Sequence, residues 1–446
     1  MALNPKIFKA YDVRGIYPEE INEETAFKIG QAYAEFTKAK TILVGRDMRL
    51  GSPELSKAVI EGIVSQGVNV HDTGMVAVDT VYFAVGKKYD AGIYITASHN
   101  PKEYNGMKFP IHEPGGIGWL RGTELWEFMK DKTFAPAKIK GTVIEKDIIP
   151  EYIEHVLSFI DIPKLKSLKI VVDAGNGMAG KIAPILFKNL PGEIIPLNFT
   201  LDGTFPAHPS NPLLPESQIE ISKKVVAVGA DFGIIMDGDT DRLFFVTEKG
   251  DFIKADTALM LLAKHFLKHN PGTGIAYNLI CSRAVREKVK QWGGRPLRGA
   301  VGYVNVAKAM KDGGGIMGGE LSAHYSFRDN YYADSGFIAF MILLSLISEE
   351  NRKLSEIVEG LNPYFKLDEI NTKTDKSKEI IAAAKVKFSD GQQDELDGLT
   401  VEYKDWWLNI RPSNTEPLLR ITIEGNTKEI AEEKEKEIRK FLEENL

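Results

Sequence analysis

Apolar runs rich in β-branched residues, each followed by a stretch with helical spacing, recur along this 446-residue chain. "TILVG" (41–45) precedes "SPELSKAVIEGIVSQG" (52–67), "LKIVVDAG" (168–175) precedes "AGKIAPILFKNL" (179–190), and "GIAYNLI" (274–280) precedes "SRAVREKVKQWGG" (282–294). Strand then helix, repeated, constrains the chain to α/β units with parallel or mixed sheets, because parallel neighbours need long crossovers that pack back on the sheet. Small residues stand at the strand exits, most clearly in "DAGNGMAG" (173–180). The three units read as diverged copies of one module without a strict period.

Four polar stretches interrupt this pattern. In "ITASHNPKEYNGMKF" (95–109), Ser98 follows the apolar "AGIYI" and precedes the helix-breaking Asn100 and Pro101. Ser98 is either a turn hydroxyl bonded to nearby backbone or a nucleophile and phosphate carrier exposed where a strand ends. In "FGIIMDGDTDRLFFV" (232–246), Asp237, Asp239 and Asp241 alternate, so three carboxylates can converge. Clustered anions call for a cation, and hard oxygen ligands favour Mg²⁺ or Ca²⁺ over zinc. An EF-hand is excluded, because its sixth position needs glycine and holds Arg242. A polar β-hairpin is the other reading of "DGD".

"GGGIMGGELSAHYSFRDNYYADSG" (313–336) sets Glu320, Ser322 and His324 at alternate positions, a carboxylate, hydroxyl and imidazole suited to sugar hydroxyls or to proton exchange. "WLNIRPSNTEPLLRITIEG" (407–425) gathers Arg411, Ser413, Asn414, Thr415 and Arg420 between two strand-like runs, donors that can wrap a phosphate.

Composition limits the partners. The net charge of −6 offers no basic field for nucleic acid or an anionic membrane, so any phosphate must be caught locally. The N-terminal "MALNPKIFKAYDVRG" lacks the apolar core of an export signal, and "GFIAFMILLSLI" (336–347) has the length of a buried helix rather than a bilayer span. The single Cys281 cannot form an internal disulfide and reads as a buried thiol, which suits the cytoplasm. Boundaries are expected near the helix at 148–163, near Asp256 as N-cap of "TALMLLAKHFLKH", and at "GLNPYF" (360–365). The final "KEIAEEKEKEIRKFLEENL" reads as a surface helix with a solvated charged face.

The order "KAYDVRG", "TASHNP", "YNGMKF", "DGDTDR", "GGELSAH", "RPSNTEP" resembles the α-D-phosphohexomutases, most closely the bacterial phosphomannomutase/phosphoglucomutase branch. The resemblance implies an α/β protein of four domains around a central cleft: 1–149, 150–254 and 255–365 sharing a mixed-sheet α/β fold, and 366–446 an α+β unit. It implies that Ser98 cycles through a phosphorylated state, that Asp237, Asp239 and Asp241 hold Mg²⁺ with an oxygen at Ser98, and that His99 sits beside the phosphoserine. Arg14, Lys108 and Arg242 lie near the transferring group, and Lys108 or His324 handles the proton. Glu320 and Ser322 bind sugar hydroxyls, and Arg411, Ser413, Asn414, Thr415 and Arg420 grip the non-reacting phosphate.

The implied reaction interconverts mannose 6-phosphate and mannose 1-phosphate through a hexose 1,6-bisphosphate, which is both intermediate and activator. Glucose phosphates are the near alternative; a glucosamine phosphate substrate, a phosphatase and a non-catalytic sugar-phosphate regulator are more remote. The expected partners are small hexose phosphates, with neither nucleic acid nor membrane, bound by a monomer or small homo-oligomer. Tyr303 stands where several relatives have histidine, Leu279 or Ile280 where some have lysine, and Ala323 where many have glycine. The form "ELSAH" leans towards mannose.

Overall fold

The computed structural model describes residues 3–413 and 418–446, whose strands form four sheets. In the first, Asn69–Met75, Thr41–Arg46 and Ala91–Ile95 lie parallel in that order, and Tyr104–Lys108 runs antiparallel beside the last. The second repeats this with Gly192–Leu197, Leu168–Asp173, Phe232–Met236 and an antiparallel Leu243–Thr247. The third does so with Arg295–Gly299, Gly274–Asn278, Gly315–Gly319 and an antiparallel Tyr325–Phe327. The three units therefore share strand order and strand direction. The first sheet is extended by Val13–Ile16 on one edge and Val143–Glu145 on the other.

The central strands read as unbroken apolar runs because helices cover them: Ala91–Ile95, Phe232–Met236, Gly274–Asn278 and Gly315–Gly319 are buried at every residue. The helix Gly336–Glu350, capped by Ser335, is apolar nearly all round because it lies inside the protein. Its Phe340 ring meets Phe187 at 5.2 Å and Phe232 at 6.3 Å, which joins the third unit to the second in one core. Among the described residues no helix is long and apolar enough to cross a membrane. Cys281 is buried, as its apolar setting suggests.

The fourth sheet is antiparallel throughout, running from Gln392–Asp394 through Leu399–Glu402 and Trp406–Pro412 to Leu418–Gly425, with Phe365–Lys366 and Ile370–Lys373 on the far side. The segment "GLNPYF" thus feeds the first strand of this last sheet. The terminal helix Lys428–Asn445 buries Ala431, Ile438, Phe441 and Leu442 and leaves its charges in solvent. Asp256 is not a cap: Lys254 occupies the N-cap position of the helix Ala255–His269 without a capping side-chain bond, and the Asp256 carboxylate is buried in the first turn. There it accepts from Lys366 Nζ at 2.5 Å and from the Ser282 amide at 3.3 Å. A long-range ion pair has claimed the side chain that local propensity would place at the helix end.

Asp79, in the helix Val78–Lys87, ties the first three units together. It accepts from Tyr152 at 2.6 Å, from Ser335 at 2.8 Å and from Thr240 at 3.2 Å, and it has no exposed surface. Burial pushes its carboxyl from 3.8 to about 7 against the pull of these hydroxyls. The folded state holds this proton after the unfolded chain has lost it, so the contribution of Asp79 to stability is full below the unfolded value and lost as pH rises towards 7. Chemical denaturation at pH 5 and pH 8 should show wild type losing more stability than Asp79→Asn over this interval, by up to a few kcal/mol.

Candidate functional site

Three of the four polar stretches occupy the same place in the three repeated units, the connection from the third strand to the antiparallel fourth: Ser98 lies between Ile95 and Tyr104, the aspartates between Met236 and Leu243, and Glu320 to His324 between Gly319 and Tyr325. Equivalent connections of three similar sheets converge on one cleft.

Ser98 adopts φ +50, a left-handed conformation that costs a non-glycine residue energy. The surrounding bonds enforce it: its amide donates to Thr96 Oγ1 at 2.8 Å, and its carbonyl accepts from Arg49 Nη2 at 2.7 Å and from Ser210 Oγ at 3.1 Å. The turn reading of the sequence is realised too, since the Asn100 amide donates to the Ala97 carbonyl at 3.0 Å. The Ser98 hydroxyl, in a residue only 2% exposed, donates to Asp237 Oδ2 at 2.8 Å and lies 3.2 Å from His99 Nδ1. Burial holds the His99 imidazole well below its ordinary value, and Arg242 and Arg14 add to this, so the ring is neutral.

Asp237, Asp239 and Asp241 are buried, and each offers a carboxylate oxygen within 4.8 Å of the others. The hairpin and the carboxylate cluster coexist: Phe232–Met236 pairs antiparallel with Leu243–Thr247, and the connecting loop, with Thr240 at φ +79, turns the three side chains together. Lys108 Nζ donates to Asp239 Oδ2 at 2.8 Å and to Asp241 Oδ2 at 2.5 Å. Burial works against its ammonium, but these carboxylates hold it well above the usual lysine range. Burial likewise opposes charge on Asp241, yet Lys108 and His324 bring its carboxyl down to about 2. Asp237 goes the other way, pushed well up by burial and by the two neighbouring aspartates.

Three carboxyls therefore crowd around Lys108 and Arg242, whose Nε lies 3.8 Å from Asp237, and the upward push on Asp237 marks a cluster short of positive charge. Asp239 Oδ1 and Asp241 Oδ1 are buried without a hydrogen-bond partner among the described residues. This shortage, the orphaned carboxylate oxygens and an adjacent serine oxygen suit a hard divalent cation.

Glu320, Ser322 and His324 do not lie along an extended strand. A turn closes between the Ala323 amide and the Glu320 carbonyl at 3.0 Å, with Ala323 at φ +65, a conformation that favours glycine. Ser322 Oγ donates to Glu320 Oε1, while Glu320 Oε2 accepts from the Gly302 amide at 3.1 Å. His324 Nδ1 lies 2.6 Å from Asp334 Oδ2, and its Nε2 accepts from Arg242 Nε at 3.0 Å. Burial disfavours the imidazolium, but Asp241 and Asp334 outweigh it and raise the basicity of the ring. Tyr303 stacks on that ring at 5.3 Å.

Arg411 and Arg420 face each other across neighbouring strands, a like-charge pair that would repel. Glu369 resolves it, accepting from Arg411 Nη2 at 2.8 Å and from Arg420 Nη1 at 3.3 Å. Asn414 and Thr415 lie outside the described residues; the amide of Ser413 donates to the Leu418 carbonyl at 2.7 Å.

Ser98, His99, Lys108, Arg14, Arg242, Glu320, Ser322, His324, Arg411, Ser413 and Arg420 line one cleft of about 580 Å³, the size of a small-molecule site. Arg14 donates to Asn100 Oδ1 at 2.6 Å and pairs with Asp12. Sequence reasoning overlooked Asp334, Glu369 and Arg49. The last, only 1% exposed, donates to the carbonyls of Ser98 (2.7 Å), Asn100 (2.6 Å), Pro101 (2.8 Å) and Tyr104 (3.0 Å), so one guanidinium shapes the whole serine loop. The charged "RDMR" directly after the apolar "TILVG" was the available signal.

The models of the phosphoglucomutase/phosphomannomutase family match in succession: alpha/beta/alpha domain I over residues 5–135, domain II over 150–250, domain III over 254–364 and the C-terminal domain over 369–441. A phosphomannomutase of Salmonella montevideo is 38% identical over 434 residues, 95% of each chain. A phosphomannomutase/phosphoglucomutase of Pseudomonas aeruginosa is 35% identical over 438 residues, 96% of this chain and 93% of its own. Among solved structures, a phosphoglucomutase/phosphomannomutase family protein from Burkholderia thailandensis has a TM-score of 0.90 at 32% identity, over 99% of this chain and 98% of its own. Matched by all four domain models and by relatives along nearly its whole length, the chain belongs to the phosphoglucomutase/phosphomannomutase family.

Proposed function

We propose that the chain is a phosphomannomutase, interconverting mannose 6-phosphate and mannose 1-phosphate by way of a phosphoserine at Ser98 and a hexose 1,6-bisphosphate. The observation that carries this reading is the Ser98 hydroxyl, 2.8 Å from Asp237 at one part of a cleft that elsewhere presents Arg411 and Arg420. A nucleophile and a separate phosphate grip are what a transfer between two ends of one sugar requires. Glucose phosphates are the second reading, favoured by the similarity to a Pseudomonas enzyme named for both sugars.

In the first half-reaction the phosphoserine O–P bond breaks and a bond to the sugar hydroxyl forms, while the hydroxyl proton passes to a base. After the bisphosphate turns, its other phosphoryl group returns to the Ser98 oxygen and the base gives the proton back. Lys108 is a poor acceptor, being held as an ammonium by Asp239 and Asp241. His324 suits the role better, because Asp334 anchors Nδ1 and the ring lines the cleft; its Nε2 takes the proton once Arg242, which donates to it here, turns to the phosphoryl oxygens. Arg14, Arg242 and Lys108 offset the charge on the phosphoryl group in flight, and Glu320 and Ser322 meet the sugar hydroxyls. The family needs a metal ion, and Asp237, Asp239 and Asp241 together with the oxygen at Ser98 would hold Mg²⁺. That ion would neutralise phosphoryl oxygens as a Lewis acid.

Incubation with mannose 1-phosphate or glucose 1-phosphate, Mg²⁺ and catalytic bisphosphate should yield the isomeric 6-phosphate; free phosphate would instead mark a phosphatase, and no product a binder. Ser98→Ala should lose at least about 10³-fold in turnover, and mass spectrometry should find no added phosphate on the variant. Arg411→Ala should raise KM by about 10- to 100-fold with little change in kcat, the loss of a charge-assisted bond made equally in ground and transition states. Arg49→Lys cannot serve four carbonyls and should lower kcat by about 10²-fold through a misplaced serine loop, with KM nearly unchanged.

A further inference from the structure

Away from the cleft, the helices Ala255–His269 and Gly336–Glu350 bring His265, His269 and Glu349 together, and none of the three lines the sugar-phosphate site. The two histidines are one turn apart on one helix face, with ring centroids 4.8 Å apart. Glu349 reaches across from the second helix, its Oε1 lying 3.1 Å from His269 Nε2 and 3.8 Å from His265 Nδ1. One nitrogen from each ring and one carboxylate oxygen fall within 4.8 Å of one another.

We propose that His265, His269 and Glu349 form a second metal site, selective for zinc-class cations and separate from the carboxylate cluster of the cleft. Two imidazoles and one carboxylate are borderline ligands that suit Zn²⁺, Ni²⁺ or Cu²⁺ and discriminate against Mg²⁺. Ligation needs both imidazoles unprotonated, so the ion competes with protons for the site. The nearby cations do not close the site. Lys264 is paired with Glu350 at 2.9 Å, and Lys268 binds Glu349 Oε2 at 2.7 Å, while Oε1 is the oxygen nearer to His269 Nε2, at 3.1 Å against 3.3 Å for Oε2. His269 is 48% exposed at its side chain, which gives an ion an entry path and leaves room for water as a further ligand. An ion bound there would clip the two helices to each other.

The test uses the full chain, stripped with a chelator and titrated with ZnCl₂ in excess MgCl₂, which occupies hard-oxygen sites. Calorimetry on wild type should show one zinc equivalent that His269→Ala and Glu349→Gln each weaken by at least about tenfold, since losing even an outer partner of a metal ligand costs about 10–100-fold. Both substitutions fall on partly exposed side chains, and mutase turnover in Mg²⁺ should stay at the wild-type level in each. The proposal is overturned if wild type binds no stoichiometric zinc, or if the zinc binds equally well in both variants, which would place it among other ligands.

Discussion

The ammonium of Lys108, nearly buried at the cleft wall, sits between the fully buried Asp239 and Asp241. Removing one member of such a buried pair costs roughly 3–5 kcal/mol, because the partner is left charged and unmatched. Lys108 belongs to the first sheet and the aspartates to the loop of the second, so this contact fixes how the two lie. Around it the bonds continue outward. Thr96 donates to Asp239 at 3.2 Å, Thr240 reaches Asp79, and Arg242 passes the connection to His324 in the third unit. The charge cluster is at once the floor of the cleft and the joint between three units.

Repetition explains why this joint is possible. Each of the three units leads from its third strand into an antiparallel fourth, and each spends the connection before that strand on polar chemistry: a hydroxyl, a carboxylate trio, then a carboxylate, hydroxyl and imidazole. A tight turn between buried strands is a rigid mount for a side chain, and left-handed residues at Ser98, Thr240 and Ala323 aim them. The antiparallel last sheet contributes a different device, two opposed arginines balanced on Glu369.

Much of this was legible in the chain. Strand and helix alternation led to the α/β units and to the buried helix Gly336–Glu350, and the motif order led to the family. What escaped were contacts that local pattern cannot encode. Asp256 looks like a helix cap until Lys366, more than a hundred residues away, takes its carboxylate. Alternation suggested an extended backbone for Glu320 to His324, but Ala323 adopts a conformation uncommon for a residue with a Cβ. Arg49 pairs with nearby Asp47 at 3.4 Å, which the charged run marks, but the four loop groups it organises are backbone carbonyls, acceptors that every residue carries. The common position of the three loops was hidden because the repeats agree in topology and not in residues.

Glu369 has a kinetic meaning for any ligand held by Arg411 and Arg420. Two guanidiniums sharing a carboxylate present less than their full positive charge, and an arriving dianion must compete with a fixed anion for their donors. Such a grip is quick to let go. For a bisphosphate that must be released at one end and recaptured at the other, a short residence time is an advantage, and a stickier pair of arginines would hold each phosphate too long for the sugar to turn.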